Sequence, residues 1–148
     1  MKKSLIFICF LLFFVSCGNK KTNNQNEKVM TIIHLTQDDF LKKVANIYTQ
    51  NEWKYLGDKP CVIDFYADWC QPCKILAPHL EALAEEYSGQ LYIYKINVDK
   101  EQELAEMFGI QSIPTLLFVP MTEQPQMAAG LLSKEDLKNV IDEVVLKK

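Results

Sequence analysis

The chain has 148 residues, 49% of them hydrophobic and 24% charged, which leaves room for one domain with a sizeable core plus appendages. Its net charge is −3, and all 16 basic residues are lysines, with no long basic run among them. That balance excludes the electrostatic footprint of a nucleic-acid binder.

Residues 1–16 read as a signal peptide and not as part of a fold. Met1-Lys2-Lys3 supplies a positive start, and Leu5 to Val15 is apolar throughout. A membrane-spanning helix needs about 20 such residues, so the run suits the core of an export signal. Phe14-Val15-Ser16-Cys17 then resembles a bacterial lipobox, whose cysteine is lipidated and becomes the mature N-terminus; Phe14 stands where leucine is usual. The alternative is ordinary cleavage nearby, with Cys17 incidental. Two or more acyl chains on Cys17 hold a protein to a membrane, since each buried CH₂ contributes about 0.8 kcal/mol. Residues 17–29 form a lipid-anchored polar tether, with no large apolar side chain from Gly18 to Lys28. The expected location is the periplasm or cell envelope, where disulfides persist.

Residues 30–148 carry the pattern of a folded domain. Met30 to Leu35 reads as a strand, with His34 a strand-end residue. Thr36 with Asp39 has the form of a capping box, before a helix face of Phe40, Leu41, Val44, Ala45 and Tyr48. In the connector Asn51 to Pro60, Trp53, Tyr55 and Leu56 are too apolar for a solvated loop and predict a short helical turn over a core edge.

Cys61 to Ala67 has the length and β-branched content of a buried strand. It breaks at Asp68-Trp69, and Cys70-Gln71-Pro72-Cys73 follows. Leu76, Leu80, Leu83, Ala84 and Tyr87 then recur at helical spacing, with Pro78 inside the helix and Gly89 as its cap. Two thiols therefore sit at the mouth of a helix that follows a strand. The first turn of a helix presents unpaired N–H groups and the positive end of the dipole. Pro72 fits there because its missing N–H is not needed. Cys70 is best placed to be a thiolate and Cys73, one turn in, is the more enclosed partner. Cys70 can attack a disulfide and Cys73 can resolve the mixed disulfide. Asp64 lies mid-strand among apolar neighbours, so its pKa is expected to rise, and a carboxyl near neutrality suits proton transfer with Cys73. The alternative is a satisfied buried carboxyl paired with a lysine. A zinc site needs further ligands, and Cys9, Cys17, Cys61, His34 and His79 offer none at pair spacing. Cys61 reads as a small buried apolar residue.

Leu91 to Val98 alternates as a strand, with Lys95 the odd residue. Asp99 is a candidate cap for a short helix through Phe108, closed by Gly109. Ile113-Pro114-Thr115 enters the strand Leu116 to Val119, and a proline there can be cis. A turn, Pro120 to Pro125, and a second antiparallel strand, Gln126 to Ala129, end at Gly130. Ser133 with Asp136 caps a last helix whose buried face is Leu137, Val140, Ile141, Val144 and Val145.

The Cys61–Lys74 stretch, Lys95, Ile113-Pro114-Thr115 and Gly130 together resemble the thioredoxins over about residues 30 to 147, the exported periplasmic members most of all. The resemblance implies an α/β thioredoxin fold, a central mixed sheet with helices on both faces. It implies that Lys95 partners Asp64, that the Ile113–Pro114 bond is cis and faces the cysteines, and that Gly130 leaves room for a partner's backbone. Trp69, Gln71, Pro72, Ile113, Pro114 and Gly130 are the implied substrate-binding positions, beside the catalytic Cys70, Cys73, Asp64 and Lys95. Isoleucine before the cis-proline is typical of the reducing members. Gln71 departs from the usual glycine, Tyr66 from a common tryptophan, and Cys61 is extra. The expected activity is reduction of protein disulfides in the envelope, with no cofactor beyond the cysteine pair and no metal. Partners would be disulfide-containing clients, a membrane electron-carrying thiol reductase and the membrane itself; a monomer is expected. The alternatives are an envelope oxidase or isomerase, or a peptide-binding or chaperone module on the same fold.

Overall fold

A computed structural model describes residues 32–49 and 52–148. The expected signal peptide, Cys17 and tether, and the first two residues of the expected first strand, lie outside them. The elements follow as β1 (Ile33–His34), α1 (Gln37–Lys43), β2 (Cys61–Tyr66), α2 (Gln71–Glu86), β3 (Tyr92–Asn97), α3 (Gln102–Met107), β4 (Thr115–Val119), β5 (Gln126–Ala129) and α4 (Lys134–Val140). A π-helical turn, Ile141–Val145, continues α4, and Leu146 N–H reaches back to the Ile141 carbonyl at 2.9 Å.

The five strands form one mixed sheet in the order β1-β3-β2-β4-β5. β1, β3 and β2 are parallel, whereas β4 and β5 are antiparallel to their neighbours. β2 is central: Cys61 pairs with Tyr92 on one side and Val119 on the other, and the pairing continues to Phe65 on both. A strand paired on both edges and covered on both faces has no solvated side, which explains its unbroken apolar run.

Alternate residues face opposite layers. Val62, Ile93, Leu116 and Phe118 pack with Leu76, Leu80 and Leu83 of α2 and Leu137 of α4. Cys61, Ile63, Phe65, Tyr94 and Leu117 pack with Phe40 of α1 and Leu104 of α3. Both layers have well-defined helix starts. Thr36 caps α1 in a reciprocal capping box with Asp39, and Ser133 Oγ accepts the Asp136 N–H at 3.1 Å.

Three local expectations are corrected. The helix α1 stops at Lys43, so Val44 and Ala45 are buried beyond its end while Tyr48 is 49% exposed. The Tyr48 hydroxyl instead donates to Glu103, tying this segment to α3. Trp53 to Leu56 is irregular chain, not a helical turn. Trp53 packs edge-on against Phe108, and the Tyr55 hydroxyl donates to the Lys59 carbonyl, so these two do cover a core edge; Leu56 faces out. The Leu56 N–H donates to Val44 O at 2.8 Å, so the backbone bonds here are long-range and not helical. Finally, Tyr87 caps α2, and Gly89 lies in the left-handed region two residues further on, at φ 80°.

The buried face of α2 sets the stability of this layer. Leu80 is fully buried, so Leu80→Ala is expected to destabilise the oxidised protein by about 3 kcal/mol in a denaturant titration. Ile75, on the outer face of the same helix, is expected to cost less than about 0.5 kcal/mol when replaced by alanine.

Candidate active site

After Tyr66 the chain leaves the sheet and turns, with the Cys70 N–H donating to Ala67 O at 3.1 Å. Cys70 has extended backbone angles and is the N-cap of α2. Its Sγ accepts the N–H of Cys73 at 3.2 Å, in the role that a serine or aspartate oxygen commonly fills. Pro72 lies within the first turn, and no acidic residue stands in that turn. The helix end therefore offers an N–H and a positive dipole to the Cys70 sulfur without a competing carboxylate.

Cys70 and Cys73 form a disulfide, with S–S 2.08 Å and Cα atoms 5.3 Å apart. In this state the two cysteines are nearly equally enclosed, at 3% and 2% exposure. The expected difference in burial is thus absent here; what separates them is their place at the helix, cap against first turn. Around them the surface is open: Trp69 is 67% exposed, and Gln71 and Pro72 are exposed.

Asp64 lies on β2 opposite Lys95 of β3, so both side chains share a sheet face. The carboxyl is fully buried, and neither oxygen accepts a hydrogen bond from the described residues. The Lys95 ammonium stands 3.5 Å from Oδ2. Burial pushes the Asp64 pKa up to about 6, and the Lys95 charge pulls it back part of the way. A group of this kind exchanges a proton readily near neutral pH.

The Ile113–Pro114 bond is cis. Ile113 packs against the cluster of Ala67, Cys70 and Cys73. Pro114 is buried, so its ring offers no docking surface and it acts by directing the chain at Ile113. The Gly130 N–H donates to Pro114 O at 2.8 Å. Gly130 has φ 99°, which disfavours a side chain, and the space where a Cβ would project is open. Trp69, Val98, Ile110 and Ile113 line a groove of ≈ 340 Å³ beside the disulfide.

Sequence reasoning misplaced one residue at this end. Asp99 does not cap α3; Glu101 occupies that position and makes no side-chain cap bond. The Asp99 carboxylate instead accepts the Trp69 indole N–H at 2.9 Å. Asn97 supports both sides of this contact, accepting the Asp99 N–H at 3.0 Å and donating to Asp68 Oδ2 at 3.2 Å. No spacing rule links positions 69 and 99; only the closeness of the β2 and β3 ends brings them together. His34 ends β1 as expected, and its Nδ1 lies 3.2 Å from the Tyr66 hydroxyl. His79 Nδ1 lies 3.4 Å from the Leu132 carbonyl, away from the cysteines in sequence and in its contacts. Cys61 is fully buried, and burial pushes its thiol up to about 12, away from the thiolate that exchange requires. Among the described residues no cluster of His, Cys, Asp and Glu could hold a metal ion.

The buried carboxyl carries a stability cost with a definite sign. Its pKa is 3.8 ordinarily and about 6 in the fold. Between those values the folded state binds the proton more tightly, so stability falls as pH rises through that window. Asp64→Asn is therefore expected to stabilise the protein by up to about 3 kcal/mol at pH 8 and by little at pH 4. Denaturant titrations at the two pH values read the difference.

The family model described as thioredoxin matches residues 31–143. A thioredoxin of Borreliella burgdorferi is 42% identical over 109 residues, spanning 74% of this chain and 93% of its own length. A thioredoxin of Haemophilus influenzae is 38% identical over 112 residues, 76% of this chain and 95% of that one. The crystal structure of chloroplastic thioredoxin z aligns with TM-score 0.65 at 26% identity, covering 76% of this chain and 93% of its own. The span matched by the family model runs across the sheet, both helical layers and the cysteine pair. The chain belongs to the thioredoxin family, and its activity is thiol–disulfide exchange.

Proposed function

We propose that the protein is a disulfide reductant of the cell envelope, tethered to a membrane through Cys17. The observation that carries the redox reading is the cysteine pair at the helix start, where Cys70 Sγ caps α2 on the Cys73 N–H. In the dithiol form that N–H and the helix dipole favour the Cys70 thiolate. The thiolate attacks one sulfur of a client disulfide, forming a mixed disulfide and releasing the client's other sulfur as a thiolate. Cys73 gives up its proton, its sulfur attacks Cys70 Sγ, and the second client thiolate leaves. The client gains two electrons and the Cys70–Cys73 disulfide re-forms. Asp64, buried with Lys95 beside it and poised to take up a proton near neutral pH, is the acceptor of the Cys73 proton. Trp69, Gln71 and Pro72 surround the disulfide, and the backbone at Ile113 is the edge along which a client chain lies, with Gly130 leaving space beside it.

Two features support the direction and the place. Ile113 before the cis-proline is the residue typical of reducing members, and the apolar Leu5–Val15 run with Ser16-Cys17 has the form of a lipoprotein signal. In an oxidising compartment the dithiol is regenerated from outside, so a membrane thiol reductase is the expected electron donor.

The redox potential of the Cys70–Cys73 pair tests the direction. It is expected near thioredoxin's value of about −270 mV, and a value above about −150 mV would falsify the reductant reading. The anchor has its own test. Metabolic labelling with a fatty acid is expected to mark the wild-type chain and not a Cys17→Ala variant; label retained by the variant removes the anchor.

A further inference from the structure

At the C-terminal ends of the three parallel strands, four side chains meet on one face of the sheet. His34 of β1 is opposite Lys95 of β3, and Lys95 is opposite Asp64 of β2, with Tyr66 two residues further on the same face. The Lys95 ammonium lies 4.2 Å from the centre of the Tyr66 ring as well as 3.5 Å from Asp64. The Tyr66 hydroxyl meets His34 Nδ1 at 3.2 Å, and the two rings are edge-on at 5.9 Å.

The contact between Lys95 and Asp64 is long for a charged hydrogen bond, at 3.5 Å, so by itself it holds the ammonium only loosely. A lysine stem is flexible and carries its charge toward water where space allows. Space exists: a cavity of ≈ 130 Å³ opens beside Lys95, lined by His34, Tyr66, Lys100 and Glu101 among others. Yet the Lys95 side chain is only 11% exposed. The aromatic face is the second contact that holds it, a cation resting on a π-system.

We propose that Tyr66, anchored by His34, is a positioning residue that keeps the Lys95 ammonium against the Asp64 carboxyl. This rests on the proton role assigned above to Asp64 and Lys95. The charged or titratable groups facing this point are His34 from β1, Asp64 and Asp68 from β2 and the turn after it, Lys95 from β3, and Lys100 and Glu101 before α3. The phenol is what allows the anchor. A tryptophan at this position would keep the ring face and lose the hydroxyl that His34 meets.

The readout is the titration of the Asp64 carboxyl in the oxidised, full-length protein, followed by carbon NMR with labelled aspartate. Tyr66→Leu removes the ring face and frees the ammonium, so the Asp64 midpoint is expected to rise by about half to one pH unit. Tyr66→Trp keeps the ring face without the hydroxyl, so it is expected to return the midpoint to that of His34→Ala, short of the wild-type value. His34→Ala, at an exposed strand end, is expected to move it the same way by less, and to have no effect in a Tyr66→Phe background, because it acts through the hydroxyl. That cycle stands even if Tyr66→Leu does not fold. An unchanged or lowered midpoint in folded Tyr66→Leu overturns the proposal, as does a His34→Ala effect that persists in Tyr66→Phe. The proton role is read separately, from the pH dependence of disulfide reduction. If Asp64→Asn leaves that dependence unchanged, the proton reading falls and the functional part of Tyr66 with it. If Asp64→Asn alters it while Tyr66→Leu leaves the Asp64 midpoint in place, only the part played by Tyr66 falls.

Discussion

Strand β2 is hydrogen-bonded along both edges, to β3 on one side and β4 on the other. That double pairing fixes the strand's position and direction, and hence where the chain leaves the sheet. The turn at Ala67 to Cys70 and the first turn of α2 are therefore delivered to one end of the molecule with little freedom left. The same pairing places the cis bond near the disulfide, because β4 begins opposite Phe65 and the Ile113–Pro114 bond lies just before it. It also sets Asp64 opposite Lys95 by register alone. The positions of the cysteine pair, of the cis bond and of the Asp64–Lys95 pair are three consequences of one strand's neighbours.

The reactive end joins two opposed electrostatic settings. At the helix mouth, a backbone N–H and the helix dipole favour negative charge on Cys70. On β2, burial disfavours negative charge on Asp64, and a single lysine limits the penalty. One setting favours a negative charge and the other disfavours it. A buried carboxyl held only by a lysine 3.5 Å away lowers stability at neutral pH, and the well-packed layers around it offset that cost. The exposed Trp69 is steadied differently, by a charged acceptor on the β3–α3 connection and by Asn97 behind it.

Much of the architecture was legible in the chain. The alternation of β3, the capping residues Thr36 and Ser133, and the spacing of Leu76, Leu80 and Leu83 are local patterns with local causes. Errors came where a long-range contact outweighed a local preference. Asp99 has the side chain of a helix cap, yet an indole N–H across the strand ends takes its carboxylate. Tyr48 continues a helical face in sequence, yet the helix ends earlier and its hydroxyl finds Glu103. Trp53 and Tyr55 suggested helix by their apolar character, but the backbone there bonds across to Val44 and stays irregular.

By itself the sequence determined the reactive pair and its setting: two thiols flanking Gln71 and Pro72, at the junction of an apolar strand and an amphipathic helix. Such features are encoded within a few residues of one another, where propensity, capping and periodicity decide. Only the tertiary structure decided that Cys70 and Cys73 are nearly equally enclosed in the disulfide, that Pro114 is buried at the start of β4, and that Tyr66 links His34 to the Lys95 beside Asp64. These depend on strand register and on which face each side chain takes. Both are set by pairing between segments tens of residues apart, which no local pattern carries.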